Sequence, residues 1–182
     1  MNHQAQVFNA ASDFFDSEDA TPDDVKPILK YLMEKVLNDM VESKEGESCD
    51  ENQTDELRST YNILDIGCGT GALFPYYINA ANSMMSDNSC IRITGVDLAP
   101  EMVRRARINA AVIIAEVGEK AHEIDVRQGD FVQLVLGDGY GNGELSSNKH
   151  NDIIENEKTA FYRRKFDAVV INSCFGNFFN EG

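Results

Sequence analysis

Basic residues are scarce in this chain. Only 16 Lys and Arg stand against 31 Asp and Glu in 182 residues, a formal net charge of −15. Such a surface repels nucleic-acid phosphates and offers no polybasic patch to an anionic bilayer, so nucleic-acid binding and membrane-surface anchoring are disfavoured. The imbalance is uneven: residues 1–60 hold 15 acids and 5 bases, whereas residues 61–182 hold 16 acids and 11 bases. Cys49, Cys68, Cys90 and Cys174 form no C-x-x-C pair. That leaves neither a zinc ribbon nor a thioredoxin motif, and no metal site is expected. Scattered thiols of this kind fit a reducing compartment, and a cytoplasmic location is expected. The first twenty residues contain no Lys or Arg and four acids, a composition unlike a secretory or mitochondrial leader. No apolar run approaches the ~20 residues that span a bilayer. No internal repeat is present.

What remains is a patterned chain. Residues 1–20 place Phe8, Phe14 and Phe15 among small and acidic residues, as in an arm that docks its rings elsewhere. Residues 21–60 read as a helix and an acidic linker. Thr21 and Pro22 suit a helix N-cap and first turn, with Pro27 allowing a later start. Ile28, Leu29, Leu32, Met33, Val36, Leu37 and Met40 recur at spacings of 3 and 4, an amphipathic stripe. Residues 42–60 are polar, without apolar period. From residue 61 onward the pattern alternates. Tyr61–Ile66 is an apolar strand, Ala72–Ala81 a helix, and residues 82–90 a loop. Ile91–Val96 is a second strand. A helix from Pro100 turns Met102, Val103, Ala106 and Ala110 inward and Arg104, Arg105 and Arg107 mostly outward. Ile124–Gln128 is a third strand, residues 137–160 a surface insertion, and Phe166–Asn172 a fourth strand. The unbroken run Val169, Val170, Ile171 predicts a strand covered on both faces. Strands alternating with helices imply an α/β fold with a parallel sheet. In such sheets ligands bind beyond the carboxyl ends of the strands. Gly67–Gly71, Asp97, Asp130 and Asn172 fall there.

The loop Asp65-Ile66-Gly67-Cys68-Gly69-Thr70-Gly71 carries the chemistry. Gly67 and Gly69 allow a tight turn and close approach to a ligand, and Gly71 lets the next helix pack close. That helix start is expected to offer free N–H groups. Asp97 follows the second strand, where a carboxylate can accept two hydrogen bonds from a ribose diol. It can also cap the helix opening at Ala99-Pro100, and the two roles are compatible. A dinucleotide site prefers G-x-G-x-x-G, but here the spacing is G-x-G-x-G with Ala72 in sixth place. Asp65 would repel a pyrophosphate and suits a ligand carrying an ammonium group. An amino-acid nucleoside is therefore favoured over NAD.

These residues carry a family resemblance. ILDIGCGTG (Ile63–Gly71) and TGVDLAP (Thr94–Pro100) followed by Glu101-Met102 resemble the class I S-adenosylmethionine-dependent methyltransferases. VRQGDF (Val126–Phe131) is similar to the segment that contacts adenine, and FDAVVINSCFGNF (Phe166–Phe178) to the fourth-strand motif. The arm FNAASDFFD (Phe8–Asp16) resembles the F-D-x-x-A-x-x-W-D lead-in of small-molecule members, with phenylalanine in the tryptophan region and Asn9 in place of the acid. The resemblance implies a Rossmann-like three-layer α/β/α fold that binds S-adenosylmethionine and releases S-adenosylhomocysteine. It implies that Asp65, Gly67, Cys68 and Gly69 border the methionine moiety, with Gly71 closing the loop. Asp97 would hold the ribose, Leu98 and Met102 would pack near adenine, and Asp130 and the Phe131 N–H would meet its edge. Asn172 would lie near the reacting methyl group. The alternative for Asp130 is a turn acid after Gly129, and for Asn172 a strand-end cap.

No residue identifies itself as a general base. His3, His122 and His150 are isolated in sequence, with His122 and His150 expected on the surface. Cys68 and Cys174 read as packing residues, since no His or Lys neighbour would lower a thiol pKa. Family members have seven strands ordered 3-2-1-4-5-7-6, and residues 173–182 are too short for three more. Residues 61–182 therefore read as an incomplete methyltransferase domain with about four strands. The fourth strand is then expected at a sheet edge, favouring dimerisation or low stability. The leading expectation is a methyltransferase acting on a small-molecule or lipid-like acceptor. The alternatives are a non-catalytic cofactor-binding fragment and an NAD-dependent oxidoreductase, the latter opposed by the loop spacing.

Overall fold

A computed structural model describes residues 6, 9, 22–45, 59–117, 122–130 and 165–171. The expected insertion 137–160, Phe131, Asn172, Cys174 and the phenylalanines after it lie outside the described residues, as do the arm apart from residues 6 and 9 and the linker over 46–58. The elements in chain order are α1 (Lys26–Glu45), β1 (Ser59–Ile66), α2 (Phe74–Met84), β2 (Ser89–Asp97), α3 (Pro100–Val117), β3 (Glu123–Gln128) and β4 (Ala168–Ile171). The four strands form one sheet in the order β3-β2-β1-β4, and every pairing is parallel. This is the α/β parallel architecture that the alternation of strands and helices predicts.

Register fixes what faces what. Ile63 pairs with Ile93 and Ala168, and Asp65 with Gly95 and Val170. Paired residues in a parallel ladder share a face. Tyr61, Ile63, Ile91, Ile93 and Val126 therefore point to one side. There they meet Met33, Leu37 and Met40 of α1, Phe74, Tyr77 and Ile78 of α2, and Val103, Ala106 and Ala110 of α3. All three helices pack on that face. Burying each Leu, Ile or Phe side chain here contributes about 1.5–3 kcal/mol. Leu64, Ile66 and Val96 are buried on the opposite face, with Phe166 packed against them. Among the described residues no helix covers that face, so the second helical layer of the expected three-layer fold is not among them.

The structure revises several boundaries and faces. β1 and β2 start two residues early, because Ser59 and Ser89 pair in the ladder, and backbone hydrogen bonds disregard side-chain polarity. α2 runs to Met84 rather than ending at Ala81, shortening the expected loop. α1 begins at Lys26, behind a turn closed by the Val25 and Lys26 N–H groups on the Pro22 carbonyl. Its stripe is narrower than the spacing implied: Ile28 and Leu32 are 56% and 44% exposed, while Met33, Leu37 and Met40 carry the contact. Val169 in β4 is 54% exposed, so β4 is not covered on both faces as its apolar run predicted. Met102, Val103, Ala106 and Ala110 face inward on α3, as the 3-and-4 spacing required.

His122 is the clearest correction. It is 4% exposed rather than on the surface. Its Nδ1 accepts the Ile91 N–H at 3.1 Å, and its Nε2 lies 3.1 Å from Asn82 Oδ1. With Nδ1 accepting, the ring proton sits on Nε2 and donates to Asn82. One imidazole thus joins α2 to β2 just before β3 begins.

A second polar tie holds the amino ends of the strands. Asp167 Oδ2 accepts the Asn62 N–H at 2.7 Å and lies 3.1 Å from Lys44 Nζ. Lys44 also donates to the Thr60 carbonyl at 2.6 Å and sits 4.4 Å from the Tyr61 ring centroid. Replacing Asp167 with Ala is expected to lower unfolding free energy by about 1–3 kcal/mol in a urea titration, since it strips a charged acceptor from Asn62 and Lys44. An unchanged midpoint would show that water replaces the carboxylate at no cost.

Candidate functional site

The carboxyl ends of β1, β2 and β3 lie side by side. Ile66 pairs with Val96, and Asp97 with Gln128. The chain therefore leaves the sheet at Gly67, Leu98 and Gly129 along one edge. Three backbone bonds stitch that edge: the Gly67 and Cys68 N–H groups donate to the Val96 carbonyl at 2.8 and 3.1 Å, and the Gly129 N–H donates to the Asp97 carbonyl at 3.0 Å.

The glycine loop is held by one close contact. At Gly71 φ is +85°, and a Cβ there would come 2.5 Å from Phe74 Cδ2 and Cε2. Only glycine admits both the backbone and the ring. Gly69 differs: φ is +57°, yet nothing lies within 4 Å of where a Cβ would stand. The loop is thus packed shut at Gly71 and open at Gly69. The start of α2 is less free than expected. The Phe74 N–H donates to the Gly71 carbonyl at 3.0 Å, Pro75 has no N–H, and the Tyr76 and Tyr77 amides donate to the Leu73 carbonyl. The anion-binding helix terminus expected from the sequence is therefore largely consumed, which suits a pyrophosphate poorly.

Asp97 spans the loop and the next helix. Its Oδ2 accepts the Gly69 N–H at 2.9 Å and its Oδ1 the Ala99 N–H at 2.8 Å. The capping geometry is thus present. These two bonds take up part of the carboxylate's acceptor capacity, roughly four positions in all. Burial raises the Asp97 pKa against the opposing pull of these backbone N–H bonds. Leu98 is half-buried beside it, and Met102 is buried with Ala99 in a small apolar cluster. Asp130 is partly buried after Gly129, on the same edge. Cys68 is buried, with its Sγ 3.8 Å from the Gly69 carbonyl, and burial pushes its thiol pKa well up, with Asp65 and Asp97 adding to the rise. Phe131 and Asn172 lie outside the described residues.

Asp65 stands apart from these. It is 0% exposed, and neither carboxylate oxygen has a hydrogen-bond partner. Burial, then the nearby Asp97 charge, raises its pKa to about 7. A buried carboxylate without a donor is costly. It is also a strong demand for a cation or a donor at that point.

One residue of this neighbourhood, Tyr77, was not singled out in the sequence, and another, Asn9, was read there only as a departure from the arm motif. Tyr77 is 0% exposed with its hydroxyl unpartnered. The stripe Phe74, Tyr77, Ile78, Ala81 would have placed it inward. Asn9 reaches back from the arm, its Oδ1 accepting the Glu101 N–H at 2.9 Å in the first turn of α3. Among the described residues no group of three His, Cys, Asp or Glu side chains is placed to hold a metal ion, and no helix is long and apolar enough to cross a membrane.

Known proteins share this arrangement of sequence. Residues 57–135 match a family described as a methyltransferase domain. A curated relative, an uncharacterized methyltransferase of Schizosaccharomyces pombe, is 37% identical over 124 residues, which make up 66% of this chain and 43% of that protein. The chain thus spans less than half the length of that relative. Among solved structures, an S-adenosyl-L-methionine-dependent methyltransferase assignment from Methanococcus maripaludis aligns at 20% identity and a TM-score of 0.33, over 67% of this chain and 42% of that one. The O-methyltransferase from Bacillus cereus, in complex with SAH, aligns at 14% identity and a TM-score of 0.34, over 92% and 74%.

The raised Asp65 pKa has a stability consequence. The folded state keeps this proton up to about pH 7, whereas an unfolded Asp releases it near 3.8. Stability contributed by the neutral form is present below about pH 4 and lost as pH rises toward 7. Asp65→Asn is therefore expected to melt above wild type at pH 8, with the gap closing toward pH 4. Thermal unfolding of both chains across that range checks it, and a gap independent of pH would contradict the assignment.

Proposed function

We propose that this chain is a class I S-adenosylmethionine-dependent methyltransferase that binds S-adenosylmethionine and transfers its methyl group to a small-molecule or lipid-like acceptor, a reading supported by the match of residues 57–135 to a methyltransferase-domain family and by the 37%-identical relative. The observation that carries this reading is the orphaned Asp65 carboxylate beside the open backbone at Gly69. An ammonium group answers the first, and close backbone approach uses the second.

The residues divide the work by chemistry. Asp65 receives the ammonium of the amino-acid moiety. Gly67, Cys68 and Gly69 let that moiety lie against backbone, with Gly71 keeping the loop closed behind them. Asp97 accepts from the ribose hydroxyls, already oriented by the Gly69 and Ala99 N–H groups. Leu98 and Met102 offer an apolar flank for adenine, and Asp130 an acceptor for its amino group. Phe131 and Asn172 are assigned to the same site on the family motif alone. The bound cofactor supplies an electrophilic methyl group on a sulfonium, whose departure leaves a neutral thioether. Much of what the protein adds is alignment, worth up to ~7–11 kcal/mol in well-oriented reactions. A general base is needed only for acceptors that must lose a proton.

The acceptor class rests on charge. A net −15 chain disfavours a polyanionic acceptor. Residues 1–20 are proposed as an N-terminal arm, 21–60 as a helix and acidic linker, and 61–182 as the S-adenosylmethionine-binding domain with an insertion at 137–160.

Calorimetric titration with S-adenosylmethionine tests the cofactor site. The wild-type chain is expected to bind, with NADH giving no heat. Asp97→Ala should weaken binding at least tenfold while circular dichroism remains that of a folded chain. Gly69→Ala should also weaken it, since the methyl enters the open side of the loop. A folded wild-type chain that ignores S-adenosylmethionine would overturn the proposal.

A further inference from the structure

We propose that Tyr77 is a positioning residue: its hydroxyl holds the Asp65 carboxylate through one buried water, in the orientation that receives the ammonium group of the ligand. The proposal rests on the cofactor assignment above and adds a residue to that site.

The inner stripe of α2 is Phe74, Tyr77, Ile78 and Ala81, packed on the sheet face that also carries Asp65. Gly95, the register partner of Asp65, faces Phe74 and Cys68, and a Cβ there would stand 3.0 Å from each. Tyr77 follows Phe74 by one helical turn. Three buried polar atoms then lie in this layer without hydrogen-bond partners: the Tyr77 hydroxyl and both Asp65 oxygens. A phenol in an apolar core costs about 1–3 kcal/mol when unpaired, and phenylalanine would fill the same space without that penalty.

The two groups are chemically complementary. Burial, and then the Asp65 and Cys68 charges, push the Tyr77 pKa far up, so the hydroxyl keeps its proton and can donate. Asp65 can only accept once ionised. Among the described residues, the titratable groups acting on this layer are Asp65 from β1, Cys68 from the loop, Asp97 from β2 and Tyr77 from α2, and none of these is a cation. The other unpartnered hydroxyl, Thr94, pairs in register with Leu64 and Asp125 and so faces the opposite side of the sheet. A carboxylate fixed by a neutral donor keeps its full charge for an incoming ammonium. A cation at the same place would cancel it.

The test uses Tyr77→Phe in the full chain, with Asp65→Asn and the double variant as references. Without ligand, Tyr77→Phe is expected to melt at or above wild type at pH 5, where Asp65 is protonated. Its decline in stability with pH should extend to higher pH, because the ionised carboxylate has lost a donor. In the Asp65→Asn background that pH effect should vanish. Titrated with S-adenosylmethionine, Tyr77→Phe should bind about three- to tenfold more weakly, in line with one lost hydrogen bond. An unchanged affinity with an unchanged pH profile would overturn the proposal. So would an equal loss of stability at pH 5 and pH 8, which would make Tyr77 part of the scaffold. Should the wild-type chain itself ignore S-adenosylmethionine, the proposed function fails, and the ligand-free profile decides the Tyr77–Asp65 contact separately.

Discussion

Phe74 stands where two glycines leave room for it. A Cβ at Gly71 would meet its ring at 2.5 Å, and one at Gly95 would meet it at 3.0 Å. The ring therefore ties three things at once: the end of the glycine loop, the first turn of α2 and the middle of β2. Because β2 is locked to β1 from Ser59↔Ser89 through Ile66↔Val96, that contact also sets the height at which the loop leaves the sheet. Asp97 then reaches back to the Gly69 N–H. The loop has little freedom left, and its open side at Gly69 is held where β1 and β2 end.

This rigidity surrounds a destabilising group. Asp65 sits on the packed face among apolar side chains, with no donor to its oxygens. Register places Gly95 on one side of it and Val170 on the other, on the same face. Binding sites often store such unmet demands, since an interaction completed only by the ligand is an interaction not spent on the fold. The partly consumed amides at the start of α2 point the same way. The helix terminus beside the loop gives little to an anion.

Local patterns were legible in the sequence, and long-range ones were not. The strand cores Ile63–Ile66 and Ile91–Val96 read correctly because apolar runs report burial directly, and the glycine loop between them sets its own backbone. The inward face of α3 followed from spacing alone. His122 could not be read this way: its partners Ile91 and Asn82 lie 31 and 40 residues away, and an isolated histidine in sequence carries no sign of them. Ile28 and Leu32 misled because periodicity fixes a direction on a helix but not the width of what it packs against. Val169 misled because an apolar run cannot say which of its faces has a neighbour. Tyr77 was within reach, on the Phe74–Ile78–Ala81 stripe, but its interest lies in an absent hydrogen bond, which only coordinates reveal.

The pairing of β1 with β4 also bears on how the chain is made. Ile63 meets Ala168, and the Asn62 N–H meets Asp167 across 105 residues of sequence. During synthesis, β2 and β3 can dock on β1 as soon as residue 128 has left the ribosome. The other edge of β1 must wait until β4 is complete at Ile171, 43 residues later, about 2–9 s at 5–20 residues per second. Throughout that interval the nascent sheet presents one edge of β1 without its strand partner, so the order of synthesis leaves that edge open to pairing with any strand that arrives first.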